Sequence, residues 1–356
     1  MTNPRFTIII PAYNGGPYLQ ECVRSVLAQT YRDFTLAVLD DCSTDGSVPW
    51  LESLGDAHVV VYKSGQRLGI VDNWARALHI PRGEFMTILG QDDRLDPNYL
   101  EVMDALIRRE PDASLYHAHF RYIDEQCGVL RSCRPLPARE TAAEYISGLF
   151  GGQRDTWGSG YMMRSADYDA VGGIPRHEKL LFADDMLWIK IMQRAYKAAA
   201  PEECFSIRRH STSVGATASW QSWVKGMEHY VPFLAELQQR DPEVTAAIVA
   251  HAPAYFSGYC RLLYLMALVQ ATKKNECVDP GIPATLAAAL SPLVDLPVAA
   301  IRTPRNVRAR EFINKNPLAR TLYLAYIRTR YGQDELAKAY EAEPSEPEAI
   351  EAQQRI

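Results

Sequence analysis

Two aspartates, Asp92 and Asp93, stand in "LGQDDR", directly after the apolar run "EFMTIL". Adjacent carboxylates at the end of a buried strand either cap a loop or hold something positive. A second acidic pair, Asp184 and Asp185 in "FADDMLW", opens a helical pattern, where the positive end of the helix dipole suits it. A third, Asp40 and Asp41, ends the run "FTLAVLDD". Carboxylates accept protons and hydrogen bonds and ligate hard cations, so these pairs are where chemistry could occur. His117 and His119, two apart on a predicted strand, share a face, but are not expected to bind metal.

The elements that must position these groups follow from pattern. "FTIIIPAYN" reads as a buried strand ended by Pro11 and a turn at Asn14-Gly15-Gly16. "YLQECVRSVLAQT" carries a helical stripe of Leu19, Val23, Val26 and Leu27. Strands "FTLAVLDD", "HVVVYKS" and "EFMTILG" then alternate with helices "SVPWLESLG", "IVDNWARALHI" and "NYLEVMDALIRRE". Trp74 and Leu78 are expected to be core. Near-continuously apolar strands alternating with helices predict an α/β fold with a parallel sheet covered on both faces. Ligands bind such sheets at the carboxyl ends of the strands. Tyr13-Asn14, Asp40-Asp41 and Gln91-Asp92-Asp93 all lie there, so these three loops should meet in one crevice. Further on, "ASLYHAHFRYIDE" and "CGVLRSC" read as a strand pair, "LLFADDMLWIKIMQRAY" as a helix and "CFSIRRHSTS" as a last strand with a polar loop.

Bulk properties bound the reading. The 356 residues allow one large domain or two smaller ones. An apolar fraction of 47% and a charged fraction of 23% are those of a globular chain, and a net charge of −5 argues against a nucleic-acid partner. Seven cysteines, an odd count without C-x-x-C spacing, predict reduced thiols and neither a disulfide framework nor a zinc site. "MTNPRFTIII" has no charged leader before an apolar core, so no signal peptide is expected. The run "LLYLMALV" falls short of the about 20 residues that a spanning helix needs. A cytoplasmic protein is expected, with peripheral contact at the inner face of the plasma membrane as the alternative to free diffusion.

The loops, in order, resemble those of the family 2 glycosyltransferases. The resemblance rests on "FTIIIPAYNGGPYLQECVRSVLAQTYRDFTLAVLDDCSTDGS", then "RLGIVDNWARAL", "LGQDD", "VGGIP", an acidic pair before "LW", and "RRH". It covers about residues 5 to 215. It implies the GT-A fold, a Rossmann-like, mostly parallel sheet flanked by helices, and inverting transfer of a sugar from a nucleotide donor. The implied organisation is a GT-A domain over residues 1–218, with a nucleotide-sugar half to about residue 110 and an acceptor half over 111–218.

The resemblance also implies roles. A diphosphate leaving group needs counter-charge, which Mn2+ or Mg2+ on carboxylates would supply. Asp93 would ligate the metal, and Asp92 would contact the ribose or support the metal; Gln91 stands where an acid often does. His210 would be a further metal or diphosphate contact, and Arg208 or Arg209 could pair with phosphate oxygens. Pro11, Ala12, Tyr13, Asn14 and Asp41 would hold the base. Asp41 could accept from uracil N3–H, which favours UDP as carrier, with dTDP next. Ser43 and Asp45 are better read as helix caps. Arg67, Asn73 and Arg76 would border the base and diphosphate. The general base is Asp184 or Asp185: counting back from Leu187 selects Asp184, and matching the acidic pair selects Asp185. Trp157, Gly158 and Gly160 would form an acceptor wall.

Beyond about Ser219 the texture turns helical, over 219–331, and ends in an acidic segment, 332–356, expected to be frayed. Arg302 to Arg330 holds eight Lys or Arg and one acid, Glu311. Interleaved with Leu, Tyr and Ile, that stretch suits an interfacial helix near anionic lipid, or a basic helix packed on an acidic body. The C-terminal helices read as an oligomerisation element or as a platform for a lipid-linked acceptor. The expected function is transfer of a sugar to a glycan, lipid-linked or other hydroxyl acceptor in bacterial cell-surface glycan synthesis. The rival is a catalytically silent GT-A binding module. A nucleotidyltransferase is disfavoured because "PAYNGGPYLQE" lacks Lys and Arg.

Overall fold

The computed structural model describes residues 4–326 and Thr329. Strands β1 (Phe6–Ala12), β2 (Phe34–Asp40), β3 (Val59–Lys63) and β4 (Phe85–Ile88) pair in parallel in the order β3-β2-β1-β4. All seven residues of β1 are buried, which accounts for its continuous apolar run. Helices α1 (Gly16–Leu27), α2 (Ser47–Ser53), α3 (Ile70–Ala75) and α4 (Tyr99–Arg109) alternate with these strands. Leu19, Val23 and Val26 of α1 pack into the same core as Phe6, Ile8 and Ile10 of β1.

The sheet then departs from all-parallel. It contains the short β5 (Arg94–Leu95), β6 (Leu115–Ile123), β7 (Val129–Ser132), β8 (Arg139–Glu140), β9 (Met162–Arg164) and β10 (Lys197–Arg208). β9 inserts antiparallel between β4 and β6, β10 runs parallel to β6, and β5 returns antiparallel on β10. The result is a mixed sheet ordered β3-β2-β1-β4-β9-β6-β10-β5, with β7 on β6 and β8 on β10. Three-residue and two-residue strands carry too little periodicity for their direction to be read from sequence. Helices α5 (Ala142–Phe150), α6 (Ser165–Ala170) and α7 (Ala183–Met192) complete this part of the chain.

One expected core face is corrected. In α3 and the 3-10 turn that follows, Asn73 and Ala77 are the buried residues, while Trp74 and Leu78 are only half-buried. The helix ends at Ala75, and its inward face meets strand-end carbonyls that need a donor, which Asn73 supplies.

The chain divides into two compact units: residues up to Tyr145 with Arg154–His210, and Ile146–Gln153 with the residues from Ser211 onward. The second unit is helical: α8 (Val214–Thr217), α9 (Trp220–Arg240), α10 (Pro242–Lys273), α11 (Ile282–Leu290), α12 (Val298–Arg302), α13 (Arg305–Lys315) and further helical turns over 317–326. Asp241 caps α10 through the N–H groups of Glu243 and Val244. Asn314 is fully buried and bonds Val278 N–H, Thr272 Oγ1 and Glu276 C=O, which pins α13 to α10. Glu311 takes Tyr264 Oη–H at 2.8 Å and Arg302 Nε–H at 2.8 Å. Among the described residues no helix is long and apolar enough to cross a membrane. The acidic segment 332–356 lies outside the described residues, as do Arg328 and Arg330 of the basic stretch.

Candidate active site

The three strand-end loops do meet. Asn14 N–H donates to Ser43 Oγ at 2.9 Å, and Asn14 Oδ1 accepts from Thr44 N–H at 2.8 Å. Asp41 N–H donates to Ala12 C=O. From the third loop, Gln91 Oε1 accepts from Tyr13 N–H at 2.9 Å, and Gln91 Nε2 donates back to Tyr13 C=O at 3.3 Å. Asp40 accepts from Ser43 N–H, and Asp45 accepts from Ser47 and Gly16 N–H, while the N-cap of α2 is Gly46. Ser43 instead links its loop to Asn14.

Within this crevice the first expected ligand set is sorted by exposure. Tyr13 and Asn14 are exposed, and Pro11 and Ala12 are buried beneath them. The Arg67 guanidinium lies 3.4 Å from the Tyr13 ring centroid and pairs with Asp41. Asp41 is fully buried; its two oxygens also accept from Leu68 N–H at 2.6 Å and Gly69 N–H at 2.9 Å. Asn73 Nδ2 donates to Leu39 C=O, and Arg76 donates to Asp40 C=O, Tyr62 C=O and Asn73 Oδ1. Asn73 and Arg76 thus tie together the ends of β2 and β3, satisfying carbonyls that the sheet leaves open.

The Asp92-Asp93 pair splits. Asp93 is buried, and its Oδ1 accepts from Arg208 N–H at 3.0 Å. Burial, then the neighbouring Asp92 charge, pushes its carboxyl well above the usual range. Asp92 keeps 28% of its side chain exposed, and its Oδ2 meets His210 Nε2 at 2.6 Å. The Arg208 side chain is fully buried, with donors on Asp92 C=O, Asp124 C=O, Glu125 C=O and Glu21. Arg208 is therefore committed to holding the loop, whereas the Arg209 guanidinium lies 5.8 Å from the ring centroids of Tyr122 and Trp157.

Among the described residues no group of three or more His, Cys, Asp or Glu side chains is arranged to hold a metal ion by itself. Asp92 Oδ2 and His210 Nε2 meet each other at 2.6 Å, which puts one carboxylate and one imidazole side by side. That donor set fits a divalent ion completed by substrate oxygens, which is how Mg2+ is commonly held at phosphate sites and what Mn2+ also accepts.

The second acidic pair starts α7, after Phe182 in a left-handed conformation. Asp185 is buried, and its Oδ1 accepts from Tyr145 Oη–H at 2.7 Å and Thr156 Oγ1–H at 2.9 Å. Burial raises its carboxyl above the usual range, and the two hydroxyls pull it back down. Asp184 is half-buried and packs on Gly158, where an added Cβ would lie 3.3 Å from Asp184 Oδ2. The expected acceptor wall is the link between the two acidic pairs. Thr156 holds Asp185, Gly158 abuts Asp184, Ser159 Oγ accepts from Gly90 N–H at 2.7 Å, and Gly160 N–H donates to Ile88 C=O. Trp157 C=O accepts from Trp188 Nε1–H of α7. Gly160 has φ +78°, and a Cβ there would sit 2.6 Å from the Phe205 ring, so glycine is required.

Three residues of this site escaped sequence reading: Tyr145, Thr156 and Ser159. A lone hydroxyl 40 residues from its carboxylate leaves no spacing signal. His117 is buried against Tyr161, with neither ring nitrogen hydrogen-bonded, while His119 bonds Ala200 C=O and Leu136 N–H, so the two do not pair as ligands.

The chain is similar to known proteins in sequence and in fold. The model of the family described as "Glycosyl transferase family 2" matches residues 7–156. Glycosyltransferase GlyG of Streptococcus pneumoniae is 30% identical over 124 residues, 34% of this chain and 41% of GlyG. The uncharacterized protein MT1568 of Mycobacterium tuberculosis is 25% identical over 227 residues, 60% of this chain and 70% of that one. The chain thus spans about two fifths of GlyG. In three dimensions, residues 1–349 of S. aureus TarS superpose with a TM-score of 0.58 at 16% identity, covering 92% of this chain and 93% of that chain. At that identity the likeness establishes the fold, which is the GT-A architecture with a helical C-terminal region. Residues 7–156, whose strand-end loops build this crevice, are thus the part of the chain that is similar to the family described as "Glycosyl transferase family 2".

Proposed function

We propose that this protein is an inverting glycosyltransferase that moves a sugar from a UDP-sugar to a hydroxyl acceptor in bacterial cell-surface glycan synthesis. The observation that carries the reading is segment 156–160, which joins the Asp184-Asp185 pair to the Asp92 loop through Thr156, Gly158 and Ser159. A proton acceptor and a diphosphate-binding corner are thereby held in one frame. TarS has been solved with UDP-GlcNAc and with UDP, which supports a UDP-sugar as donor.

In this reading the base stacks at Tyr13, from whose face Arg67 must turn aside, and Asp41 anchors the loop that carries Arg67. Asp92 and His210 would hold Mn2+ or Mg2+, with Asp93 supporting the loop from inside. A divalent ion at that corner would offset charge on the departing diphosphate. Arg209 would meet phosphate oxygens. Asp185 takes the acceptor proton. Its raised carboxyl brings basicity closer to neutral pH, where a general base works best. Asp184 lies against Gly158 and lines the acceptor side. The helical unit serves as the platform for a lipid-linked acceptor, and self-association through those helices is the other use that its sequence suggests.

The test is UDP release by the full chain from UDP-glucose, UDP-galactose, UDP-GlcNAc and UDP-GalNAc, and dTDP release from dTDP-glucose, each with and without Mn2+. Metal-dependent release from a UDP-sugar, abolished by Asp92→Ala, is expected. Release from none, with tight binding of UDP retained, would sink the enzyme reading and favour the silent binding module.

A further inference from the structure

Two hydroxyls, 40 and 29 residues away along the chain, converge on a single oxygen of Asp185. Tyr145 Oη–H donates to Oδ1 at 2.7 Å, Thr156 Oγ1–H donates to the same atom at 2.9 Å, and the two hydroxyl oxygens are 2.7 Å apart. Neither reaches Oδ2. A carboxylate fixed in this way has Oδ1 committed to the protein, and Oδ2 takes neither hydroxyl.

Tyr145 is itself braced. It is fully buried, and the Lys197 ammonium sits 5.1 Å from its ring centroid. Lys197 and Glu140 are both buried and form an ion pair, and Arg154 Nε–H bonds Glu140 at 3.1 Å. Tyr161, whose ring centroid lies 5.9 Å from Lys197 Nζ, stacks on Trp188 of α7 with centroids 4.3 Å apart. The titratable groups beside the Asp185 carboxyl are therefore Tyr145, whose hydroxyl meets it, and Tyr161, with the Lys197–Glu140 pair behind the Tyr145 ring. An ammonium anchored to Glu140 beneath the Tyr145 ring fixes the position of that ring. The arrangement is more than simple burial of a polar tip, because the hydroxyl is aimed at the carboxylate that would accept the proton.

We propose that Tyr145 is a positioning residue: with Thr156 it holds Asp185 Oδ1, so that Oδ2 alone is presented to the acceptor hydroxyl. The inference rests on Asp185 being the base. Each hydroxyl stabilises the carboxylate as a donor and can rotate to accept once the carboxyl is protonated. Burial raises the Asp185 carboxyl and the hydroxyls oppose that rise, so removing one must raise it further.

The experiment uses the full chain carrying carbon-13 in its aspartate carboxyls. The Asp185 signal is isolated as the infrared difference between each protein and its Asp185→Asn counterpart, and is titrated. Tyr145→Phe is expected to move the midpoint up by about one pH unit, which is about 1.4 kcal/mol. Thr156→Val should move it the same way, and Thr156→Ser should restore it. The acid limb of kcat, measured with the best UDP-sugar, should shift with the midpoint, while KM for the donor stays within about twofold. A purely structural tyrosine would lower stability and leave the midpoint in place. An unmoved midpoint in folded Tyr145→Phe, or in Thr156→Val should the first variant not fold, overturns the proposal. Full transfer by Asp185→Asn would instead refute the base assignment, and the infrared midpoint would still report whether Tyr145 holds the carboxylate.

Discussion

The side-chain amide of Gln91 pairs with the backbone of Tyr13 in both directions, accepting from its N–H at 2.9 Å and donating to its C=O at 3.3 Å. Only an amide side chain offers both an acceptor and a donor in that geometry. Gln91 therefore works as a clamp between the loop of Asp92 and the loop of Tyr13. The fit is close: a Cβ at Gly15 would lie 2.7 Å from Gln91 Oε1.

That clamp gives the first prediction. Gln91→Glu keeps the shape, loses the donor and sets a carboxylate oxygen against the Tyr13 carbonyl. It should destabilise the protein by about 1 kcal/mol in urea unfolding. Because Tyr13 is the proposed base platform, KM for the UDP-sugar should rise severalfold with kcat less affected. Equal KM values for the two proteins would show that the clamp does not serve donor binding.

The metal corner gives the second. Chelation with EDTA should stop sugar transfer, and added Mn2+ should restore it. His210→Ala should raise the Mn2+ concentration for half-maximal activity by roughly tenfold or more, since one of only two protein donors is lost. Asp93→Asn, which keeps an oxygen for Arg208 N–H, should shift that concentration less than Asp92→Asn does. The opposite ranking would return the metal to Asp93.

Much of this was legible in the residues. The continuous apolar runs of β1, β2 and β4 fixed a parallel core, and their polar ends marked the loops that meet. The order of the remaining strands was not legible, because β5 and β9 are too short to carry a period. Trp74 and Leu78 were misread because hydrophobicity outweighed the need of the sheet's open carbonyls for Asn73. That Asp93 is buried and Asp92 partly exposed could not be read either. Which of two adjacent carboxylates faces inward depends on Arg208, more than a hundred residues later. Segment 156–160 was read as an acceptor wall from its Trp and glycines, whereas its ties to both acidic pairs come from hydroxyls and backbone.

Asp185 also sets a dependence of stability on pH. Its native carboxyl holds a proton more tightly than the unfolded one, because burial disfavours the charge. The native state therefore binds more protons between the unfolded pKa, near 4, and the raised native value. The stability it contributes is fully present below the unfolded pKa and is lost as pH rises through the native one. Asp185→Asn cannot ionise, so it should match the wild type near pH 4 and exceed it at pH 8, by about 1.4 kcal/mol per unit of the shift. Urea unfolding at the two pH values measures this. A variant less stable than wild type at pH 8 would show that the ionised carboxylate is itself a net stabilising partner of Tyr145 and Thr156.

The last helices separate the basic stretch into two populations. Arg302 is bound to Glu311, and Arg320 is buried with a bond to Asn314 C=O, so these charges are used within the helical unit. Arg305 and Arg308 are exposed on α13, on the same helical face as Phe312, which is 63% exposed. Leu318, Leu322 and Tyr326 follow at four-residue spacing, each more than half exposed. Exposed apolar residues beside arginines are what an anionic bilayer surface accepts: the rings and leucines enter the interface and the guanidiniums meet phosphates. The full chain should therefore float with liposomes containing phosphatidylglycerol, less so with phosphatidylcholine alone, and less as salt rises. The triple variant Phe312→Asp, Leu318→Asp, Leu322→Asp leaves the buried Val307 and Asn314 in place and should abolish flotation without changing UDP release from a soluble donor. Flotation by the triple variant equal to wild type would assign membrane contact elsewhere. No flotation by either would leave the stripe to a protein partner, with a second copy of the chain, detected by sedimentation, as the first to look for.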